Sequence, residues 1–154
     1  VRPTLVIGRE SGPTQLLMRL ARLPVIPVFG GARNQVQPID ARDLAELLVD
    51  TLDASLPSGT VLEFGGPEVV SLRQVLGVMH RRLSTTDPRF IHIPMTPLVR
   101  TWTLLERVVA GVLPFTVGQL ATFRFDGVAK PNLLWQQRQA RMFNIEAMIG
   151  ECLR

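Results

Sequence analysis

The first eight residues, Val1-Arg2-Pro3-Thr4-Leu5-Val6-Ile7-Gly8, constrain the fold more than any other stretch of this chain. A short apolar run closed by glycine is how a parallel strand covered on both faces reads, and such a strand needs partners on its edges. The run starts without an initiator Met, which predicts a truncated piece of a larger fold. A second feature points the same way: Tyr is absent and Lys130 is the only lysine, so chemistry built on a Tyr/Lys pair has to reside in other residues. On this reading the isolated chain presents an unpaired strand edge and is poorly soluble or molten.

Strands and helices then alternate. Gly8 to Pro13 form a loop, Leu16, Leu17, Leu20 and Leu23 recur at helical spacing, and Pro24 ends that helix. Val25 to Phe29 and Gln35 to Ile39 are extended runs around Gly30-Gly31, which predicts a small hairpin. Asp40 as N-cap, Asp43 in the first turn and Leu44, Leu47, Leu48 and Leu52 on one face mark the next helix. A strand over Thr60 to Phe64 stops at Gly65-Gly66-Pro67, read as a tight turn. Ser71 and Gln74 form a capping box for a helix whose Leu72, Val75, Leu76, Met79 and Leu83 share a face.

From Arg89 to Ile93 a short strand runs into Pro94, and Pro97 opens a helical stretch with Leu98, Trp102, Leu105 and Val109. Further helices are predicted from Thr116 to about Phe125 and from Asn144 to Leu153. The alternation predicts an α/β fold with a mostly parallel sheet, and the Pro-punctuated second half a helical cap or substrate lobe. The division expected is 1–66 sheet domain, 67–130 cap lobe and 131–154 helical tail.

Composition excludes several function classes. The chain has 154 residues, 46% hydrophobic and 19% charged, which suits a globular interior. Net charge is +4 and the pI about 10.9, yet the arginines are spread singly, with Arg81-Arg82 the one adjacent pair. A nucleic-acid footprint is a clustered stripe with aromatic side chains, so no salt-dependent DNA retention is expected. Cys152 is the only cysteine, which excludes an internal disulfide and a cysteine-based metal site and leaves an inert residue near a helix end. The N-terminus lacks a signal-peptide pattern, and the uncharged stretch Val108 to Phe123, broken by Pro114 and Gly118, is too short to span a bilayer. Soluble helices are the better reading of that stretch, with an interfacial contact as the alternative.

Isolated residues read as structural. Gly8-Arg9-Glu10-Ser11-Gly12 matches neither the dinucleotide fingerprint nor the P-loop and reads as a plain βα turn. His80 falls beside Arg81-Arg82 and reads as solvated, whereas His92 alternates with Ile91 and Ile93 and could face a cleft. Neither has metal-ligand spacing to a partner, and no serine lies in a Gly-x-Ser-x-Gly frame. No residue is put forward as catalytic or metal-ligating.

Three segments taken in order carry more information. Arg2-Pro3-Thr4-Leu5-Val6-Ile7-Gly8, Gln37-Pro38-Ile39-Asp40-Ala41-Arg42-Asp43-Leu44-Ala45-Glu46 and Leu62-Glu63-Phe64-Gly65-Gly66-Pro67-Glu68 with Ser71-Leu72-Arg73 resemble the C-terminal half of extended and atypical short-chain dehydrogenases/reductases. These include NAD-dependent epimerases/dehydratases. The nearest branch resembles the NDUFA-nine-type accessory subunit of respiratory complex I, which Arg124-Phe125-Asp126-Gly127-Val128 also fits. The resemblance implies the C-terminal part of a Rossmann-type sheet plus a helical substrate lobe, with NAD or NADP bound in the full-length parent.

It implies that Pro3 and Thr4 line the nicotinamide end of the cofactor site, and that Leu5, Val36 and Gln37 face the substrate. The Tyr-x-x-x-Lys pair of such proteins, where Tyr moves the proton at the substrate oxygen and Lys lowers its pKa, precedes the strand that opens this chain. Val36 stands where nucleotide-sugar epimerases carry an Arg, and Leu5 where many carry Asn. A diphosphate needs charge-assisted donors, so the resemblance implies an apolar small-molecule substrate, or a cofactor-holding subunit without turnover that docks into a protein complex. The expected location is cytoplasmic or peripheral to the inner membrane.

Overall fold

The structure, a computed structural model, describes residues 1–29, 34–93 and 126–153. Its elements are β1 (Arg2–Pro3), β2 (Val6–Ile7), α1 (Gly12–Ala21), β3 (Ile26–Phe29), β4 (Gln35–Val36), β5 (Ile39–Asp40) and α2 (Ala41–Asp53). There follow β6 (Glu63–Phe64), β7 (Val70–Ser71), α3 (Leu72–Leu83), β8 (Phe90–Ile93), α4 (Leu133–Arg138), a 3₁₀ turn (Gln139–Arg141) and α5 (Ile145–Cys152). They form two compact units: Val1–Gln15 with Gln35–Val70 and Gly127–Arg154, and Leu16–Asn34 with Ser71–Asp126.

In the first unit the opening segment is two short strands rather than one. Arg2 and Pro3 pair in parallel with Glu63 and Phe64, and beyond a bend at Leu5, Val6 and Ile7 pair in parallel with Ile39 and Asp40. Thr4 N donates to Phe64 O at 2.9 Å and Ile39 N to Leu5 O at 2.9 Å, so both halves of the segment are hydrogen-bonded within the chain. The bend divides a run that looks continuous in sequence, because each half follows a different partner.

Asp40 caps α2, its Oδ1 accepting from Arg42 N at 2.8 Å. Helix α2 packs on α4, β2 and β5, and Ile39, Leu47, Phe64 and Trp135 form the core there, with Val6, Leu44, Leu62, Leu134 and Met142 against it. The four-leucine face expected for α2 is narrower than the sequence suggests: Leu48 is 41% and Leu52 84% exposed. Five residues at 3.6 per turn place Leu52 about 140° around the helix from Leu47, outside the contact. Helix α4, which the sequence reading placed only within a helical tail, is capped by Asn132, whose Oδ1 accepts from Trp135 N at 3.0 Å. Helix α5 starts at its Asn144 cap and packs on β2.

In the second unit β3 and β8 pair in parallel over four residues, from Ile26 opposite Phe90 to Phe29 opposite Ile93. This replaces the expected hairpin. Glycines between two extended runs signal a reversal, but parallel pairing joins segments far apart in sequence, which local spacing does not reveal. The capping box forms as read: Gln74 N donates to Ser71 Oγ at 3.2 Å and Ser71 N to Gln74 Oε1 at 2.7 Å. Leu72, Val75, Leu76 and Met79 are buried, and so, against expectation, is His80. His80 follows Leu76 by four residues and continues its stripe. Its Nδ1 is 2.7 Å from Ala21 O, a carbonyl that can only accept, so Nδ1 carries the proton and Nε2 meets Thr86 Oγ1 at 3.3 Å. His92 is exposed. Gly30-Gly31, the helices expected over 98–109 and 116–125, and the stretch Val108 to Phe123 lie outside the described residues.

Candidate functional site

The parallel strands of the first unit bring the opening segment, the start of β5 and the turn after β6 to one junction around Gln37. Its carbonyl accepts from the Thr4 hydroxyl and, at 3.4 Å, from Gly66 N. Its side chain, 4% exposed, donates from Nε2 to Gly66 O at 2.7 Å and accepts at Oε1 from Ala129 N at 3.0 Å. Backbone bonds finish the tie: Gln37 N donates to Gly127 O at 3.0 Å and Gly127 N to Gln35 O at 2.8 Å. A buried amide with both ends satisfied stiffens its surroundings.

Close approach explains the glycine pair. A Cβ on Gly65 would fall 2.4 Å from Gln37 Cδ, and one on Gly66 would fall 1.8 Å from Pro38 O. Among the described glycines only Gly59 has positive φ, so Gly65-Gly66 is there for space and not for turn conformation. Trp135 closes the junction from α4, its Nε1 donating to Gly65 O at 2.6 Å, and Asn132 Nδ2 donates to Glu63 O at 2.8 Å.

Of the residues that the resemblance implies, Pro3 is exposed in β1, Thr4 and Leu5 are half-buried beside it, and Val36 and Gln37 are buried. Thr4 and Gln37 are in direct contact. The Thr4 hydroxyl proton is committed to Gln37 O, which leaves that oxygen lone pairs alone for a ligand. Among side chains hydrogen-bonded into this junction Glu63 is the titratable one, and its Oε2 accepts from Lys130 N at 3.0 Å. The junction can therefore position a ligand, and Glu63 is the one acid or base among its described side chains. Ala129, Asn132 and Trp135 were not reached from sequence; Asn132-Leu133-Leu134-Trp135 has the spacing of an N-cap signal, the one local hint of α4.

The turn after β2 is a βα turn held by its own hydroxyls. Gly8 N donates to Thr14 Oγ1 at 3.2 Å and Ser11 Oγ to Val6 O at 3.1 Å. A second polar cluster joins α2 to the C-terminal part of the unit. Arg138 bridges Asp50 and Glu46, and Phe143 N donates to Asp43 Oδ2 at 2.9 Å. Arg138 holds the Asp50 carboxyl below its ordinary value. The space among Asp43, Glu46, Arg138, Arg141 and Met142 amounts to about 10 Å³, room for one water and no substrate.

Burial pushes the Asp43 carboxyl above its ordinary value; the Phe143 N–H opposes that, and the Asp40 and Glu46 charges add to it. A carboxyl whose folded pKa is raised contributes stability at low pH that is lost as pH rises through the folded value. Asn in its place keeps the acceptor for Phe143 N and removes the charge. Asp43→Asn is therefore expected to be more stable than the parent chain in urea melts near neutral pH, with the difference closing in acid. Equal or lower stability at neutral pH would show that the charge is worth more to the α2 dipole than burial costs it.

Cys152 is half-buried, and burial pushes its thiol up, away from the reactive thiolate. No group of His, Cys, Asp and Glu among the described residues could hold a metal ion. No described helix is long and apolar enough to cross a membrane.

A scan against protein-family profiles finds no match, and a search of curated proteins finds none. Solved structures do resemble the chain. It matches an NAD-dependent NDP-hexosamine 5,6-dehydratase involved in tunicamycin biosynthesis with a TM-score of 0.57 and 17% identity, over 99% of this chain and 43% of that one. It matches the ADP-L-glycero-D-manno-heptose-6-epimerase of Helicobacter pylori with a TM-score of 0.56 and 12% identity, over 99% of this chain and 42% of that one. The match to RMD of Pseudomonas aeruginosa, complexed with NADPH, has a TM-score of 0.51 and 10% identity, over 98% and 46% of the two chains. The chain thus spans less than half the length of these structures. At such identities the likeness is one of fold, and the fold is α/β and in part Rossmann-type, with parallel strand pairs linked through helices.

Proposed function

We propose that this chain forms the substrate-side part of an NAD(P)-binding oxidoreductase- or epimerase-like protein of the short-chain dehydrogenase/reductase superfamily, and that it is inactive by itself. The observation that carries this reading is the fold match over 99% of the chain to a nicotinamide-dependent dehydratase. The pairing inside the first unit supports it. The three segments that carry the sequence resemblance are the ones that pair with each other, β1 with β6 and β2 with β5.

In this reading Pro3 and Thr4 flank the nicotinamide, and Leu5, Val36 and Gln37 the substrate. Thr4 fits an amide, since its oxygen offers lone pairs and no spare proton. These five residues supply no charged donor for a pyrophosphate, so the phosphates and ribose of NAD or NADP are held by other residues, as is the proton at the substrate oxygen. When bound, the cofactor supplies hydride transfer. The same lack of charge favours an apolar substrate over the nucleotide sugars named for the matched dehydratase and epimerase.

The alternative is a cofactor-holding or assembly subunit of a complex I-like, membrane-associated assembly. The apolar Leu5 and Val36 and the internally bonded Gln37 amide favour it, because a junction so closed serves support as well as turnover.

Titration of the purified chain with NADH and NADPH, followed by tryptophan quenching, is expected to show no saturable binding in the micromolar range and no reduction of carbonyl substrates. Micromolar binding with turnover would overturn the claim of inactivity. Upstream coding sequence separates the two readings: a Gly-rich fingerprint with an intact Tyr-x-x-x-Lys supports the enzyme, the fingerprint without that pair supports the subunit, and absence of both rejects the superfamily reading.

A further inference from the structure

Charge divides unevenly between the two units. Among the described residues the first holds ten carboxylates against six cations. The second holds Arg19, Arg22, Arg73, Arg81, Arg82 and Arg89 against Asp87 and Asp126, and all six arginines are exposed. Arginines that look scattered along the sequence thus fall within one unit, on α1, on α3 and at the approach to β8.

Apolar side chains are exposed among them. Leu23 and Val25, which follow Arg22, are 41% and 43% exposed, and Ile91 in β8 is 53% exposed. The β3–β8 pairing joins these residues: Ile26 N donates to Arg89 O at 2.7 Å, and Pro27 sits opposite Ile91. Val25 and Pro27 alternate onto one side of their strand, as do Arg89 and Ile91 on the neighbouring one. The outer side of the pair is therefore mixed, arginine beside aliphatic, with the Arg22-Leu23 turn at its edge.

We infer that this face of the second unit docks peripherally on an anionic lipid bilayer. Arg19, Arg22 and Arg89 meet phosphate and carboxylate headgroups, and Leu23, Val25 and Ile91 enter the headgroup boundary, a combination that pairs electrostatic attraction with apolar burial. Charge complementarity selects the surface, and the exposed aliphatic residues select lipid over nucleic acid. They have no counterpart along a phosphate backbone, and Phe90, the aromatic beside them, is stacked under the Arg73 guanidinium at 4.6 Å rather than open to a base. The inference does not rest on the proposed cofactor chemistry and is tested apart from it.

The test is co-sedimentation of the full chain with vesicles of phosphatidylcholine alone and of phosphatidylcholine mixed with phosphatidylserine, at low and high salt. Binding is expected to the mixed vesicles only and to fall as salt rises. An Arg19→Gln, Arg22→Gln, Arg89→Gln triple variant should lose about fivefold in partitioning per arginine removed. The corresponding triple Lys variant, which keeps the charges, should partition as the parent chain does, and circular dichroism checks that both variants fold. Equal binding to both vesicles, no binding to either, or a Gln variant that folds and still partitions normally would overturn the inference. So would displacement from the vesicles by duplex DNA at equal phosphate, which would assign the face to nucleic acid.

Discussion

Gly66→Ala is expected to destabilise the first unit by about 3 kcal/mol or more, the upper end of what overpacking costs in a closed site. The added methyl would lie 1.8 Å from Pro38 O and 2.8 Å from Pro38 C. Both are backbone atoms next to β5, so no side-chain rotation relieves the clash. Moving Pro38 away would also disturb the Gly66 N bond to Gln37 O and the Gln37 Nε2 bond to Gly66 O. Gly65→Ala meets the Gln37 side chain instead, which can swing aside while losing its bonds to Gly66 and Ala129, and its cost should be smaller. Gly12→Ala is the control: nothing lies within 4 Å of the new Cβ, and its effect should be near zero or stabilising. Urea midpoints in the order Gly12→Ala, Gly65→Ala, Gly66→Ala, from highest to lowest, are the expected result. A Gly66→Ala midpoint matching the parent chain would show that β5 and the β6 turn do not approach as described.

The glycine pair also shows where sequence reading stops. Features made by neighbours in the chain were legible: the Asp40 cap, the Ser71–Gln74 capping box, the Asn144 start of α5 and the strand ending at Ile93. Each depends on a few consecutive residues and their hydrogen-bonding habits. Features made by distant segments were not. Gly65-Gly66 reads as a turn because glycine usually means freedom in φ, whereas here it means the absence of a Cβ beside β5. His80 reads as solvated from its neighbours Arg81 and Arg82, yet the carbonyl that holds it belongs to Ala21. The hairpin failed likewise, since the partner of β3 is β8 and that of β5 is β2. Of the five residues that the resemblance implies, Thr4 and Gln37 touch. The bonds that tie Gln37 to Gly66, Ala129 and Gly127 come from segments whose approach no local pattern encodes.

Trp135 is where those segments meet, and removing it should cost more than any other single side-chain truncation in the first unit. The ring packs with Ile39, Leu47 and Phe64, and its Nε1–H donates to Gly65 O at 2.6 Å. Trp135→Ala loses the buried ring and leaves a cavity between α4 and the strands, which sets the cost at about 3–5 kcal/mol. Trp135→Phe separates the two contributions. It keeps most of the apolar contact but strands the Gly65 carbonyl without its donor, at about 1–3 kcal/mol for a buried acceptor left unpaired. The Phe variant should therefore fall between the parent chain and Trp135→Ala in urea melts. Gly65 O lies one residue from the Gly66 contacts with Gln37, so the loss should spread. In hydrogen exchange, the Gln37 and Ala129 amides, which donate to Gly127 O and Gln37 Oε1, should lose protection in Trp135→Phe before the α2 amides do. If instead α2 and the Gln37 junction lose protection together, the unit opens as one body. Trp135 would then act through bulk packing alone, and its hydrogen bond to the glycine turn would carry no separate weight.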